Sequence, residues 1–288
     1  MAEGTQRIVL VTGGAGFIGS NLVEALLKRG DRVISLDNYF TGNEANHLEG
    51  AVYVRGHTKD IAGLINETPD LVYHLGEYAR VEKSFDDSEA VFDLNIIGTH
   101  AVLEFCRAKG SKIVYAGSST KFSDNGLGRH QSPYAWSKAS NTDLVANYGS
   151  WFGLPYAVTY FYNVYGPRER SGSYGTVIQI FKEQYEAGRP LTVVAPGTQK
   201  RNFTHVADIV SGLLLVGDKG EGGEYGLGSE ESFSVLDIAR MFGAPIEMLP
   251  ERRGNRLNST AHTEKSRALG WSATHRINDY IKAAIART

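Results

Sequence analysis

Residues Leu10-Val11-Thr12-Gly13-Gly14-Ala15-Gly16-Phe17-Ile18-Gly19 complete an apolar run that begins at Arg7-Ile8-Val9 and lead directly into a helical pattern. A strand, a glycine-rich turn and a helix in that order make a phosphate cradle. Gly13 and Gly14 permit the tight turn, Gly16 lets the backbone approach a pyrophosphate, and Gly19 lets the new helix pack against the sheet. The helix N-terminus, at Phe17 and Ile18, then presents free N–H groups and a partial positive charge to the phosphates. A chain with 33 glycines produces such spacings by accident, so context decides. Asp37 closes the next apolar run, Arg32-Val33-Ile34-Ser35-Leu36, about 20 residues on, where a carboxylate takes both ribose hydroxyls and repels a 2′-phosphate. The stretch reads as a dinucleotide site for NAD rather than NADP.

Working outward, short β-rich runs alternate with helical patterns through residue 165, as in an α/β doubly wound parallel sheet of the Rossmann type. The runs are Arg7–Val11, Arg32–Leu36, Ala51–Val54, Asp70–Leu75, Lys112–Ala116 and Tyr156–Phe161. Between them, Ser20–Arg29 is helical and stops at Gly30, a natural C-cap, and Val91–Lys109 and Ser137–Phe152 read as two further helices. After Asn163-Val164-Tyr165-Gly166-Pro167 the elements become shorter and irregular. The chain therefore divides into an NAD-binding domain, 1–165, and a smaller C-terminal α/β substrate lobe, 166–288, with part of 203–218 packing back onto the first. Ligands of such a sheet bind beyond the C-terminal strand ends, so a cleft between the two parts is the expected site.

Composition narrows the partners. The 288 residues are 42% apolar and 22% charged with a net charge of -2, and no basic tract suggests nucleic acid or an anionic membrane. No apolar run reaches the length of a membrane span and the N-terminus lacks a signal-peptide pattern, so a soluble, cytoplasmic protein is expected. Cys106 sits at helical spacing among apolar residues and reads as core filler. His205 either caps a turn or orients Asp208; with no second ligand at metal spacing, no metal is expected.

Tyr134 and Lys138 are four apart and share one face of a helix starting just after Pro133; of the 15 tyrosines, Tyr134 alone has a lysine four residues on. A phenol titrates near 10 and becomes a useful base when nearby positive charge stabilises the phenolate, which Lys138 and an oxidised nicotinamide can supply. Gly117-Ser118-Ser119-Thr120 ends a strand run, which places hydroxyls in the crevice where a reacting oxygen needs steadying.

These features together resemble the extended short-chain dehydrogenases/reductases, specifically the nucleotide-sugar epimerase/dehydratase family, across nearly the whole chain. Thr-Gly-x-x-Gly-x-x-Gly falls on Thr12 to Gly19, and Asp-Asn-x-x-Thr-Gly on Asp37, Asn38, Thr41 and Gly42. The His-Leu segment is His74-Leu75, Asn-x-x-Gly-Thr is Asn95 to Thr99, Tyr-x-x-x-Lys is Tyr134 and Lys138, and Asn-Val-Tyr-Gly-Pro-Arg is Asn163 to Arg168. Downstream, Arg201-Asn202-Phe203-Thr204, Arg252-Arg253-Gly254-Asn255 and Leu269-Gly270-Trp271 match the family's later motifs.

The resemblance implies roles. NAD would be held by the glycine turn, Asp37, Asn38, Thr41, Gly42, His57, Thr58, Leu75, Gly76, Tyr78, Lys138, Tyr162 and Val164. Ser118, Tyr134 and Lys138 would be catalytic. Asn163, Arg201 and Arg252 would hold a sugar-nucleotide diphosphate, with Thr192 and Val193 near the base, and Thr176, Val177, Ser119 and Ser259 also on the substrate side. The substrate would be a nucleotide sugar, UDP-linked, and the family implies a homodimer formed through the Val91–Lys109 and Ser137–Phe152 helices.

Four departures bear on function. The family's Gly-Asp-Ile appears as Gly56-His57-Thr58, which alters the adenine contacts. Lys121-Phe122-Ser123 replaces Val-Tyr-Gly, and a short loop, Asp124 to Gln131, precedes Tyr134, which predicts an open rim; counting back from Phe122 selects Ser118, with Ser119 its rival. The Ala-Ala after His-Leu is Gly76-Glu77, so Glu77 either touches substrate or pairs with Arg80. Ser259 stands where a large tyrosine favours plain hexoses, and a small residue leaves room for an N-acetyl group. Dehydratases of the family carry Asp-Glu where this chain has Ser119-Thr120, and uronate decarboxylases keep a glutamate nearby. The expected reaction is therefore C4 epimerisation through a 4-keto sugar. The alternatives are a reductase or dehydrogenase with net redox, or a non-catalytic NAD-binding sensor.

Overall fold

A computed structural model describes residues 6–251 and 261–286. The elements run β1 (Ile8–Thr12), α1 (Phe17–Arg29), β2 (Arg32–Asp37), β3 (Val52–Arg55), α2 (Ile61–Leu64), β4 (Leu71–His74), α3 (Ser88–Val91), α4 (Gly98–Lys109), β5 (Lys112–Ser118), α5 (Pro133–Phe152) and β6 (Tyr156–Phe161). They continue as β7 (Val164–Tyr165), α6 (Val177–Glu186), β8 (Leu191–Val194), β9 (Lys200–Asn202), β10 (Thr204–His205), α7 (Val206–Lys219), β11 (Gly222–Leu227), β12 (Ser232–Ser234), α8 (Val235–Met241), β13 (Ile246–Leu249), α9 (Glu264–Ala268) and α10 (Ile277–Ile285).

Among the described residues the main sheet has seven strands in the order β11-β6-β5-β4-β1-β2-β3, every pairing parallel. The strands expected from sequence are all present, within a residue or two at their ends. Both faces are covered, which is why the strands read as near-continuous apolar runs. Along β1, Val9 and Val11 pack into a core with α1 and α7, whereas Leu10 belongs to the opposite core with α4 and α5. Cys106 lies wholly buried in that second core.

The chain crosses back over the boundary expected at 165/166. Helix α7 packs against α1, β11 joins the main sheet beside β6, and Trp271 is buried in the same core. The C-terminal lobe has its own core, built on Tyr165, Ile178, Phe181, Leu191, Val193 and Phe242, with β8 pairing β13 and β9 pairing β12.

Strand order reverses between β1 and β4, a switch point at whose C-terminal strand ends a ligand crevice forms. Thr12 pairs with His74 at that point, and the chain leaves each strand through a glycine, Gly13 and Gly76. A Cβ on Gly13 would meet the Gly76 backbone at 2.9 Å, so the two turns approach too closely for side chains.

Candidate active site

The glycine turn is built for close approach. Gly13 has φ +73, a left-handed conformation that glycine adopts without strain, and its N–H donates to the Leu36 carbonyl at 2.8 Å. A Cβ on Gly19 would sit 2.1 Å from the Gly13 carbonyl oxygen, so this glycine lets α1 pack on the turn itself rather than on the sheet. Gly14 fills the latter role: its Cβ would meet Ser35 Oγ of β2 at 2.3 Å. The cap of α1 is Gly16 in extended backbone with no side-chain hydrogen bond, so no side chain of the cap covers the first-turn N–H groups. Asp37 is 7% exposed, and it accepts from Ala15 N at 3.0 Å and Tyr39 N at 2.8 Å. Burial raises its pKa above the usual carboxylate value. Gly42 stands behind it, where a Cβ would lie 2.8 Å from the carboxylate. A pinned carboxylate beside an uncapped helix end fits a dinucleotide with a free ribose.

At the other end of the crevice, β5 runs three residues past its neighbour β4 and carries Ser118 to the strand end, in register with Phe161. Helix α5 starts opposite it: Ser132 caps it by accepting from Ala135 N at 3.1 Å, Pro133 is its first residue and Tyr134 its second. The Tyr134 phenol oxygen lies 3.2 Å from Ser118 Oγ. The Thr120 hydroxyl donates to Ser118 Oγ at 2.9 Å. One turn along α5, Lys138 is 5% exposed and donates to the Ala116 carbonyl and to the Glu77 carboxylate.

A cavity of about 500 Å³ joins the two ends. Its wall includes Gly13, Gly16, Phe17, Ile18, Gly19, Asp37, Asn38 and Thr41, then Leu75, Gly76, Glu77 and Tyr78, and Ser118, Ser119, Tyr134 and Lys138. Tyr162, Asn163, Val164, Thr176 and Val177 close it from the second lobe side. Arg80 and Arg170 also line it, and Arg80 donates to the backbone carbonyls of Tyr174 and Ala79.

Other expected site residues lie elsewhere. His57 and Thr58 are beyond β3 and off the cavity wall; His57 Nε2 is 3.0 Å from Asp93 Oδ2, and Thr58 is buried against Gly98. Val193 is fully buried, its side chain turned into the lobe core, because alternate β8 residues face inward. Thr192 is half-buried and bonds the Gln184 side chain. Arg201 is buried on β9, donating to the Lys200 carbonyl at 2.9 Å, while Phe203 reaches the cavity wall. Arg252 and Ser259 lie outside the described residues. The segment before Tyr134, expected as a loop, winds as 3-10 turns over Ser119–His130. His205 caps α7, accepting from Ala207 N at 3.2 Å.

Of the two expectations placed on Glu77, the pairing with Arg80 is not the one made, while the residue does lie on the cavity wall. It pairs with Lys138, while Arg80 bonds carbonyls; its oxygens also accept from Thr99, Tyr115 and Asn141. Sequence reasoning missed these supporting groups and Asn95, which accepts from Tyr78 N at 2.7 Å and donates to Ser137 Oγ at 2.9 Å. Asn95 sits in a π-helical turn, Phe92–Ile97, between α3 and α4, a wide turn of the kind that recurs at functional sites. The Asn95 to Thr99 spacing was the available signal.

A model of the NAD dependent epimerase/dehydratase family matches residues 9–228. A putative UDP-glucose 4-epimerase of Methanocaldococcus jannaschii is 30% identical, covering 96% of this chain and 97% of the relative. A UDP-N-acetyl-alpha-D-glucosaminuronate decarboxylase of Bacillus cytotoxicus is 31% identical over 80% of this chain and 78% of its own. Among solved structures, the UDP-glucose 4-epimerase of Thermus thermophilus in complex with NAD superposes with a TM-score of 0.87 at 31% identity, covering 97% of this chain and 98% of that one.

Proposed function

The chain belongs to the NAD dependent epimerase/dehydratase family, whose members work on nucleotide sugars with NAD, and from that premise we propose that it epimerises a nucleotide diphospho-sugar at C4. The observation that carries this reading is the approach of Tyr134 to Ser118 on the cavity wall, with Thr120 bonded to the same serine. Thr120 is a buried hydroxyl that donates to Ser118; it has no acid or base to remove water or steer a decarboxylation. A 4-epimerase needs neither.

In this reading the glycine turn and Asp37 hold the pyrophosphate and ribose of NAD, which supplies the acceptor and donor for hydride at C4. Tyr134, as phenolate, removes the proton from the sugar O4, and Ser118 holds that oxygen by donating to it. The sugar passes through a 4-keto form, turns about its diphosphate, and Tyr134 returns the proton to O4 after the opposite face is reduced. Arg80 and Arg170 give the cavity a positive wall, which suits a substrate with a negative diphosphate. Asn163, Thr176 and Val177 line the substrate side; Arg252 is the further diphosphate ligand proposed, whereas Arg201 lies buried on β9 off that wall.

The same reading takes the protein as a homodimer. The α3–α4 run and α5 expose Phe92, Ile97 and Trp136, at 43%, 53% and 41%, and the Phe92 and Trp136 rings are 5.5 Å apart. Adjacent apolar side chains on two helices form a surface suited to a second copy.

The test is proton NMR of the purified protein with UDP-N-acetylglucosamine and UDP-glucose and no added cofactor. Appearance of the C4 epimer supports the proposal. Stoichiometric consumption of added NAD would instead establish a net redox reaction.

A further inference from the structure

We propose that Glu77 is the fixed counter-ion of Lys138 and sets how strongly that ammonium acts on Tyr134, a positioning role that rests on reading Tyr134 as the base.

The carboxylate is committed on every side. Its side chain is 3% exposed, so its charge has to be matched within the protein. Oε2 accepts from Lys138, and Oε1 accepts from the Thr99 hydroxyl at 3.0 Å, the Tyr115 hydroxyl at 3.0 Å and Asn141 Nδ2 at 2.9 Å. These donors come from α4, β5 and α5, three elements that meet at the end of β4.

The hydrogen directions follow from the carboxylate. A hydroxyl has one hydrogen, so Thr99, which gives it to Glu77, can only accept from His74 Nε2 at 2.9 Å. His74 therefore carries its proton on Nε2, and Nδ1 accepts from the Thr12 hydroxyl at 2.7 Å. Burial, lowering the His74 pKa to about 4, keeps the ring neutral in that tautomer. Thr12 Oγ1 in turn accepts from Leu75 N and Gly76 N at 3.2 and 3.0 Å. One line of hydrogen bonds thus runs from the Leu75 and Gly76 amides through Thr12, His74 and Thr99 to Glu77, each donor pointing toward the carboxylate that Lys138 meets from the other side.

Lys138 has three N–H groups. Two go to Glu77 and to the Ala116 carbonyl, which leaves one for substrate, cofactor or Tyr134. The ammonium also lies 4.5 Å from the centre of the Tyr115 ring, so its place is fixed on three sides. The titratable and charged groups facing this site are His74 and Glu77 at the end of β4, Arg80 beyond them, Tyr115 on β5, and Tyr134 and Lys138 on α5. Glu77 is the anion among them, and it offsets the ammonium one turn from the phenol. A phenol under a weaker positive field gives up its proton at higher pH and returns it more readily. That balance suits a tyrosine that has to act as base and then as acid on the same oxygen.

The test labels the tyrosine Cζ positions with carbon-13 in the full-length, NAD-loaded protein and follows the Tyr134 signal against pH, assigned by its loss in Tyr134→Phe. Glu77→Ala is expected to lower the Tyr134 midpoint by about one unit or more, the size of shift a newly unpaired neighbouring charge produces. A purely structural role would lower the melting temperature and leave the midpoint in place; an unmoved or raised midpoint in the folded variant overturns the proposal. If Glu77→Ala does not fold, Glu77→Gln keeps the volume without the charge and carries the same expectation. The readout is the phenol and not turnover. A shifted midpoint without C4 product would therefore retain the counter-ion and reject the reaction, whereas C4 product with a fixed midpoint would do the reverse.

Discussion

The Tyr134 phenol oxygen stands 3.2 Å from Ser118 Oγ, across a crevice formed by the end of β5 and the start of α5. Two oxygens at that separation can both reach a single sugar hydroxyl. General acid–base catalysis by such a group contributes about 10²- to 10⁴-fold. Tyr134→Phe is therefore expected to lower kcat by at least about a hundredfold, with NAD content of the purified protein unchanged. Steady-state assay and cofactor extraction on the same preparation check both halves.

The two serines can be told apart. Ser118 is the one whose Oγ neighbours Tyr134 and receives the Thr120 hydroxyl. Removing it takes away a hydrogen bond made to a developing charge, which costs roughly 1.5–3 kcal/mol, or on the order of tenfold to a hundredfold in kcat/KM. Ser118→Ala should fall in that range and Ser119→Ala should stay within about threefold of the parent. The reverse order would move the catalytic hydroxyl to Ser119.

What the sequence revealed here is what is local. The glycine turn, Asp37 and the Tyr134/Lys138 pair each follow from spacing along one helix or one strand–helix–strand unit, so the residues that meet on the cavity wall at both ends could be read from sequence. Glu77 could not, because its partner is 61 residues away and they meet only through the order of the parallel strands. Strand β11 was also hidden: Gly222-Gly223-Glu224-Tyr225-Gly226-Leu227 has few β-branched residues, and its place in the sheet comes from tertiary pairing with β6. Val193 shows the opposite error, an apolar residue assigned to a ligand where the lobe core takes it.

Asp37 offers a test at the other end of the crevice. Its oxygens hold Ala15 N and Tyr39 N, so the carboxylate is placed before a cofactor arrives. Hydrogen bonds to a charged group contribute roughly 1.5–3 kcal/mol each. Asp37→Ala is expected to weaken NAD binding by about tenfold to a thousandfold and to narrow the preference over NADP. Calorimetric titration of cofactor-stripped protein measures both; equal NAD affinity in the variant would remove Asp37 from the ribose site.

His74 makes stability depend on pH. Burial lowers its pKa from 6.5 to about 4, so below pH 6.5 the unfolded chain takes up a proton that the folded chain refuses. Stability is thus full above about 6.5, falls as pH drops toward 4, and levels off below that; the loss is on the order of 3 kcal/mol from this group. Urea unfolding at pH 7 and pH 5 should show the decline. His74→Gln, less stable at pH 7 through its altered bonds to Thr12 and Thr99, should show a smaller decline over the same interval.

The proposed dimer rests on the apolar surface that the α3–α4 run and α5 share. Phe92 and Trp136 are 5.5 Å apart and both more than two-fifths exposed, and Ile97 lies along the same helical run at 53%. If that surface meets a second copy, each protomer supplies the same patch to a two-fold contact, so one substitution acts twice. Burying an unpaired carboxylate there costs several kcal/mol, and about 3 kcal/mol already corresponds to more than a hundredfold in dissociation constant. Phe92→Glu with Trp136→Glu should therefore convert the dimer to a 31.5 kDa monomer by light scattering at micromolar protein. Both residues lie on the outer faces of their helices, away from the Glu77 network, so NAD should remain bound. A parent protein that is itself monomeric would dismiss the dimer, and a variant that stays dimeric would place the contact on another face.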